Sequence, residues 1–308
     1  MWHEGEVQID TTRFHVRGLG GLDPAAIESR DDQALAVLLH GWPQDGSSWA
    51  RVAPLLVEAG YRVACPDLKG FGRSDSPRHG YDPATLSDEL SQLIQALGAR
   101  KAVLVGHDWG GAVALATAFR HPGRVRALVT VSSPFRQLDL TAAWHIPLLN
   151  VPIAPELAFK VAGRPLTRAL IRYAAERRDV FDDASLERYG DAVSSSPRGW
   201  LAYYRTLSRR AVFDWGVRRV RRVVPFIEDP QGPHHLRVPT AVVWGEADRV
   251  TPFHLGVRVA HDLDATLVRV PGVGHFVHEE APEAVAAAVL ELAGPAGARD
   301  TSTRRPSA

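Results

Sequence analysis

The sequence predicts an α/β protein with a mostly parallel, doubly wound sheet and an inserted helical cap. Short apolar runs suited to strands buried on both faces alternate with stretches of helical length. Between about Pro134 and His235 the alternation stops, and the chain carries helical patterns rich in aromatic residues. We therefore expect one core formed by residues 1–133 and 236–293, with a helical cap over 134–235.

The predicted elements follow in chain order. Residues 6–16 mix β-branched and polar side chains, which suggests an antiparallel hairpin. Continuous apolar runs then predict buried strands at 34–39, 62–64, 102–105, 127–131, 240–244 and 266–270. Helical patterns lie at 48–59, 84–97, 110–120, 252–262 and, rich in alanine, 280–293. Residues 294–308 have no apolar periodicity and are predicted to be disordered.

Composition and charge argue against several classes of partner. The hydrophobic fraction of 45%, the charged fraction of 23% and the net charge of +1 describe an ordinary soluble protein without a bias toward nucleic acid or anionic membrane. We interpret the arginine pairs as solvated helix faces rather than a nucleic-acid surface. They lie at 177–178, 209–210, 218–219 and 221–222.

The single cysteine and the apolar runs bear on the compartment. Cys65 cannot form an intrachain disulfide, and its apolar context predicts a buried side chain. The first six residues lack the pattern of a signal peptide, and no apolar run approaches the roughly 20 residues needed to span a bilayer. A cytoplasmic protein is the expectation.

The most informative segment runs from Gly106 through His107, Asp108 and Trp109 to Gly110. It follows a predicted buried strand and precedes a predicted helix, which is the setting of the nucleophile elbow G-x-S-x-G, with aspartate in place of serine. At a helix N-terminus the dipole and free N–H groups favour an anion, so a carboxylate there needs no base to act as a nucleophile. The alternative is an Asp that merely caps an ordinary turn.

Two further motifs, together with the elbow, resemble the epoxide hydrolase branch of the α/β-hydrolase fold. They are His40-Gly41-Trp42-Pro43, which looks like the HGxP loop, and Pro66-Asp67-Leu68-Lys69-Gly70-Phe71-Gly72-Arg73-Ser74-Asp75. The resemblance covers roughly residues 6–293. It implies the α/β-hydrolase fold and an oxyanion hole made by the backbone N–H groups of Trp42 and Trp109.

A nucleophile of this kind needs a histidine base and an acid to orient it, in the chain order nucleophile, acid, histidine. The strand predicted at 240–244 leads into a loop with two acids, where the family pattern favours Asp248 over Glu246. The next strand ends in Gly272-Val273-Gly274-His275, and Gly-His at this point matches the catalytic histidine of the family.

Most of the other histidines are assigned no role. His107 is expected to pack or hydrogen-bond locally, and His121 to end a helix. No motif surrounds His234, His235, His254, His261 or His278, and these are expected at the surface. No spacing resembles a metal-ligand set, so no metal or other cofactor is predicted.

The resemblance also implies donors from the cap that stabilise the opening epoxide oxygen, usually two tyrosines. The stretch from Trp200 to Arg205 resembles the second cap motif and places one donor at Tyr204, with Tyr203 as its competitor. At the first position this chain has His145, which is similar to the minority of epoxide hydrolases with a His/Tyr pair. A cap histidine satisfied by the backbone is the alternative.

These residues predict an epoxide hydrolase that forms a vicinal diol through an ester on Asp108. An apolar pocket lined by Trp42, Trp109, Trp144 and Phe276 would take the substrate, with water as the second reactant. No nucleic-acid or membrane partner is expected, and a homodimer is left open.

Two other functions stay open at this point. Haloalkane dehalogenases resemble this pattern but commonly have Asn at the position of Trp42, although Trp109 would suit a halide. Haloacetate dehalogenases have arginines after the nucleophile, where this chain has Trp109, Ala112 and Val113. A member of the fold that binds a ligand without catalysis is the alternative of another class.

Overall fold

The computed structural model describes residues 1–26, 33–135, 138–208 and 236–296. Eight strands form one sheet in the order β1-β2-β4-β3-β5-β6-β7-β8. β1, β2 and β4 pair antiparallel, and the pairs from β4 through β3 and β5 to β8 are parallel. The strands are β1 His3–Ile9, β2 Thr12–Leu19, β3 Leu35–Leu39, β4 Arg62–Pro66, β5 Ala102–His107, β6 Val125–Val131, β7 Thr240–Gly245 and β8 Thr266–Val270.

Helices follow most of the strands, as the alternation predicts. Those of the core are α1 Val52–Glu58, α2 Pro83–Ala96, α3 Trp109–Arg120, α8 Phe253–Leu263, α9 Val277–Glu280 and α10 Pro282–Ala293. α2 begins where the Asp82 carboxylate accepts a hydrogen bond from the Thr85 N–H, with Pro83 in the first turn. The predicted α/β class and parallel sheet are confirmed.

The continuous apolar runs are explained by helices on both faces of the sheet. In β3, Leu35, Val37 and Leu39 join one apolar cluster, whereas Ala36 and Leu38 join the cluster on the opposite face. Because side chains alternate along a strand, a strand covered on both faces has no polar position. Cys65 lies in the second cluster and is fully buried, and this burial raises the pKa of its thiol.

Between β6 and β7 the described residues form helices and no strand. These helices are α4 His145–Leu149, α5 Ala154–Ala174, α6 Asp183–Ser195 and α7 Pro197–Leu207. They pack mainly on one another, with α5 against both α6 and α7. The division into core and cap at 134 and 235 stays a prediction.

Parts of the chain lie outside the described residues, among them 209–235 and 297–308. They include three of the arginine pairs, His234, His235 and most of the predicted tail. Among the described residues no helix has the length and apolarity to cross a membrane.

Candidate active site

Asp108 lies at a sharp turn between β5 and α3. Its backbone has φ 47° and ψ −118°, a conformation that is costly for a non-glycine residue and clusters at functional sites. The turn leaves no room for a side chain at the flanking positions, because a Cβ on Gly106 would lie 2.5 Å from the Gly110 carbonyl oxygen. A Cβ on Gly110 would come within 2.2 Å of the Leu39 oxygen. The two glycines of the motif are therefore required by close backbone approach.

The turn presents the Asp108 carboxylate to backbone donors. The Trp42 N–H donates to Asp108 Oδ2 at 3.1 Å. Burial raises the pKa of Asp108, while the charge of His275 and the N–H groups of Trp42 and Trp109 act in the opposite direction. The donors proposed as an oxyanion hole thus already face the resting carboxylate.

His275 and Asp248 form a buried pair beside Asp108. Asp248 Oδ2 lies 2.8 Å from His275 Nδ1. The other contacts of the Asp248 carboxylate are the N–H groups of Val250 and Thr251, each at 2.8 Å, and the Thr251 hydroxyl at 2.7 Å. Burial lowers the pKa of His275, but the charge and hydrogen bond of Asp248, together with the charge of Asp108, outweigh it and raise the pKa above its ordinary value. The pair can stabilise an imidazolium.

Glu246, the other acid of this loop, lies elsewhere. Its carboxylate pairs with Arg269, and both side chains are substantially exposed. It does not contact His275, so of the two acids in the loop only Asp248 is placed to orient that ring.

Glu280, a residue that sequence reasoning did not single out, ties the His275 loop to the segment after α5. Glu280 Oε2 accepts hydrogen bonds from the N–H groups of Gly274 at 2.9 Å, Glu176 at 3.0 Å and Arg177 at 2.9 Å. Oε1 accepts from the Phe276 N–H at 3.2 Å. The His275 N–H also donates to the Ala174 carbonyl at the end of α5, at 3.1 Å. One buried carboxylate thus holds both sides of the loop against the end of α5 and the residues that follow it.

The two predicted cap donors meet above Asp108. His145 begins α4 and stacks on Trp42, with ring centroids 6.0 Å apart. Tyr204 lies in α7, and its ring centroid is 6.2 Å from that of His145. Burial and the charge of His275 lower the pKa of His145 to about 4, so at neutral pH the ring is neutral and carries one N–H donor.

The position of Tyr204 also keeps its hydroxyl protonated. Burial and the charge of Asp108 raise the pKa of Tyr204 well above its ordinary value, although a hydrogen bond with Trp109 lowers it. Tyr203 points in a different direction from the same helix and packs against Phe71 and Tyr81, at 5.2 and 5.5 Å between ring centroids. Tyr204 is therefore the tyrosine of the pair that faces Asp108.

These groups line one small space, called here the reaction chamber, of about 30 Å³. Its lining comprises Trp42, Pro43, Asp108, Trp144, His145, Leu170, Tyr173, Ala174, Tyr204, Val250, His275 and Phe276. The predicted substrate contacts of Trp42, Trp144 and Phe276 are thus placed in the lining. The Trp109 ring packs edge-on against Tyr204 at 4.7 Å and does not line the chamber, so only the backbone of Trp109 is placed for its predicted role.

Two expectations about the other histidines are wrong. His278 was expected at the surface but is fully buried, 4.5 Å from Trp49 and 4.4 Å from His107 between ring centroids. It lies in α9, which packs behind the His275 loop, so its burial follows from a contact between distant segments. His107 Nε2 lies 3.1 Å from the carbonyl oxygen of His275, so its contact is with a segment distant in sequence rather than the local one expected.

The sheet order, the strand-turn-helix at Asp108 and the His275–Asp248 pair define a hydrolase fold of the α/β type. The alpha/beta hydrolase fold family matches residues 36–282, and the chain belongs to that family.

The chain is also similar to several individual proteins. The chain is 28% identical to the AB hydrolase superfamily protein YfhM of Bacillus subtilis over 281 residues, 86% of this chain and 92% of the relative. It is 28% identical to epoxide hydrolase A of Mycobacterium tuberculosis over an alignment of 328 positions, gaps included, which covers 92% of this chain and 95% of the relative. Among solved structures, Cfl2 from Burkholderia cenocepacia matches with a TM-score of 0.75 and 24% identity, covering 94% of this chain and 95% of that one.

Proposed function

We propose that this protein is an epoxide hydrolase that opens an apolar epoxide to a vicinal diol. The observation that carries the proposal is the meeting of Asp108, His275, His145 and Tyr204 in one chamber. A carboxylate, a base held by an acid, and two neutral donors are the groups that ring opening by a nucleophile followed by ester hydrolysis requires. The similarity to epoxide hydrolase A supports it.

In the first step Asp108 attacks an epoxide carbon. Because Oδ2 is held by the Trp42 N–H, Oδ1 is the oxygen that forms the new bond to carbon. The carbon–oxygen bond of the ring breaks, and the Tyr204 hydroxyl gives its proton to the departing oxygen while the His145 N–H hydrogen-bonds to it. The product is a hydroxyalkyl ester on Asp108 and a tyrosinate.

In the second step His275 removes a proton from water, and the hydroxide attacks the ester carbonyl. Asp248 stabilises the resulting imidazolium. The negative charge on Oδ2 is stabilised by the N–H groups of Trp42 and Trp109, and one such donor is typically worth about 10²–10³ in rate. When the ester bond breaks, the two protons of water end on the second hydroxyl of the diol and on Tyr204.

The first experiment is incubation with styrene oxide and, separately, with 1,2-dibromoethane, followed by assays of diol and bromide. We expect diol and no bromide, since the chamber offers proton donors for an alkoxide. Bromide without diol would instead assign dehalogenation, in which a halide needs only N–H donors. Absence of both products would favour a binding protein.

A single turnover in water enriched in oxygen-18 tests the ester itself. Hydrolysis at the carbonyl carbon leaves the diol of the first turnover unlabelled and places the label on Asp108. Label in the diol of the first turnover would mean direct attack of water on the epoxide, and would overturn the mechanism.

A further inference from the structure

A second and larger space adjoins the reaction chamber. This space, called here the cap cavity, has a volume of about 540 Å³, within the range of about 300–1,000 Å³ typical of ligand sites. It shares with the chamber the residues Trp42, Trp144, His145, Leu170 and Tyr173. The chamber is much the smaller of the two spaces, at about 30 Å³ against about 540 Å³.

The lining of the cap cavity has a marked chemical character. Beyond the shared residues, the part of the lining that the structure describes consists of leucine, valine, alanine, proline and phenylalanine side chains from α4, α5 and the segment between them, and none of these described residues is charged. A charge placed against these aliphatic and phenylalanine side chains would find no partner among them. At the mouth, Leu148 and Val151 are 56% and 45% exposed.

Arg205, a cation near Val151, is already engaged. Arg205 donates to both carboxylate oxygens of Glu156, at 2.6 and 2.9 Å, and to the Val151 carbonyl at 2.9 Å. The hydrogen bonds of Arg205 lower the pKa of Glu156, so both side chains stay charged and bound to each other. Arg205 is thus not available to bind the carboxylate of a substrate.

We infer that the cap cavity binds an uncharged apolar chain attached to the epoxide, so that the preferred substrates are long alkyl epoxides without an acidic end group. The inference rests on the proposed function. Each buried methylene contributes about fourfold to binding of the transition state when the chain leaves water completely. The chain length therefore sets kcat/KM, whereas the chamber sets the chemistry.

The test is kcat/KM along the series 1,2-epoxybutane, 1,2-epoxyhexane, 1,2-epoxyoctane and 1,2-epoxydecane. We expect a rise with each pair of methylenes, and a decrease of roughly tenfold or more in the ratio for epoxydecane over epoxybutane in Ala169→Phe. Ala169 is an exposed lining residue of α5, so the larger ring fills the cavity without entering the core. Ala158→Phe, also exposed and lining, provides a second filling variant.

Val161→Phe is the matched control, since Val161 lies on the same helix, is 87% exposed and does not line the cavity. It should keep the wild-type ratio. A flat series, or filling variants that reduce both substrates equally, would overturn the cavity as the chain site while leaving epoxide hydrolysis intact. If no epoxide is opened at all, the proposed function fails, and with it this inference.

The absence of charge is tested by comparing 1,2-epoxyundecane with 10,11-epoxyundecanoic acid, which has the same chain and a terminal carboxylate. We expect kcat/KM to be at least about tenfold lower for the acid, because its carboxylate has no partner in the cavity. Equal values would show that the acidic end is bound, contrary to the inference.

Discussion

The carboxylate of Glu280 accepts a hydrogen bond from the N–H of Gly274, the residue directly before His275. The same oxygen accepts hydrogen bonds from the N–H groups of Glu176 and Arg177 shortly after α5, so one side chain anchors both this segment and the His275 loop. A carboxylate accepts at both oxygens, whereas a Gln amide accepts at one and would turn its own N–H groups toward backbone donors. Glu280 is in this sense a positioning residue.

We expect Glu280→Gln to slow ester hydrolysis by about 10²-fold, because a small displacement of His275 relative to the ester carbonyl is costly. Ester formation, which does not use His275, should change much less. Rapid-quench measurement of the two steps separates these effects.

Glu279→Gln is the control for this variant. Glu279 is the neighbouring buried glutamate, and it accepts from Tyr189 and Gln44 rather than from the His275 loop. Burial raises the pKa of Glu279 to about 8, so at pH 7 the side chain is mostly a neutral acid that glutamine imitates. A slowing of ester hydrolysis as large in Glu279→Gln as in Glu280→Gln would reduce the role of Glu280 to general stability.

Asp108→Ala should abolish turnover, because the ester cannot form without the carboxylate. Diol formation is measured with the wild type as reference, and folding is checked by the thermal midpoint. Residual activity above a few per cent would show that Asp108 is not the nucleophile.

His275→Gln should trap the ester, since the variant retains Asp108 but lacks the base. Intact-protein mass spectrometry should show that the mass of the protein increases by the mass of the epoxide. One equivalent of epoxide per protein should be consumed in an initial burst. Peptide mapping should locate the added mass on Asp108. If the wild type opens the epoxide but the His275→Gln variant forms no adduct, a covalent intermediate is excluded.

Tyr204→Phe should slow ester formation by about 10²–10⁴-fold, the usual contribution of a positioned proton donor, and affect hydrolysis much less. Tyr203→Phe is a matched control, since Tyr203 is equally buried but packs on Phe71 and Tyr81 outside the chamber. Equal losses in the two variants would indicate that Tyr204 acts only through packing.

The rate of ester hydrolysis should fall on the acid side, as His275 becomes protonated. The sign follows from the role of His275, which must be neutral to accept a proton and whose pKa is raised by Asp248. Asp248→Asn should move the midpoint to lower pH and reduce kcat by about 10³–10⁴-fold. A midpoint unchanged by the substitution would show that Asp248 does not set the protonation of His275.

Much of the site follows from local sequence. The turn at Asp108 could be predicted because the small residues at positions 106 and 110 are required by backbone contacts within one strand-turn-helix unit. The strand ends were predicted for a similar reason, since continuous apolar runs indicate strands covered on both faces. The parallel order then brings the ends of β5, β7 and β8 to one edge of the sheet.

Other features depend on contacts between distant segments, which local patterns do not encode. Tyr203 and Tyr204 are adjacent on one helix and point about 100° apart, so only the packing of α7 on the core places Tyr204 above Asp108. The burial of His278 and the anchoring by Glu280 arise where α9 meets elements far away in the sequence. The sequence by itself thus determined the fold class and the position of the carboxylate turn, because neighbouring residues decide both. The resemblance already favoured Tyr204 and Asp248, but only the tertiary structure placed Tyr204 beside Asp108, placed Asp248 beside His275 and brought Glu280 to the His275 loop, because local patterns do not encode packing over long separations.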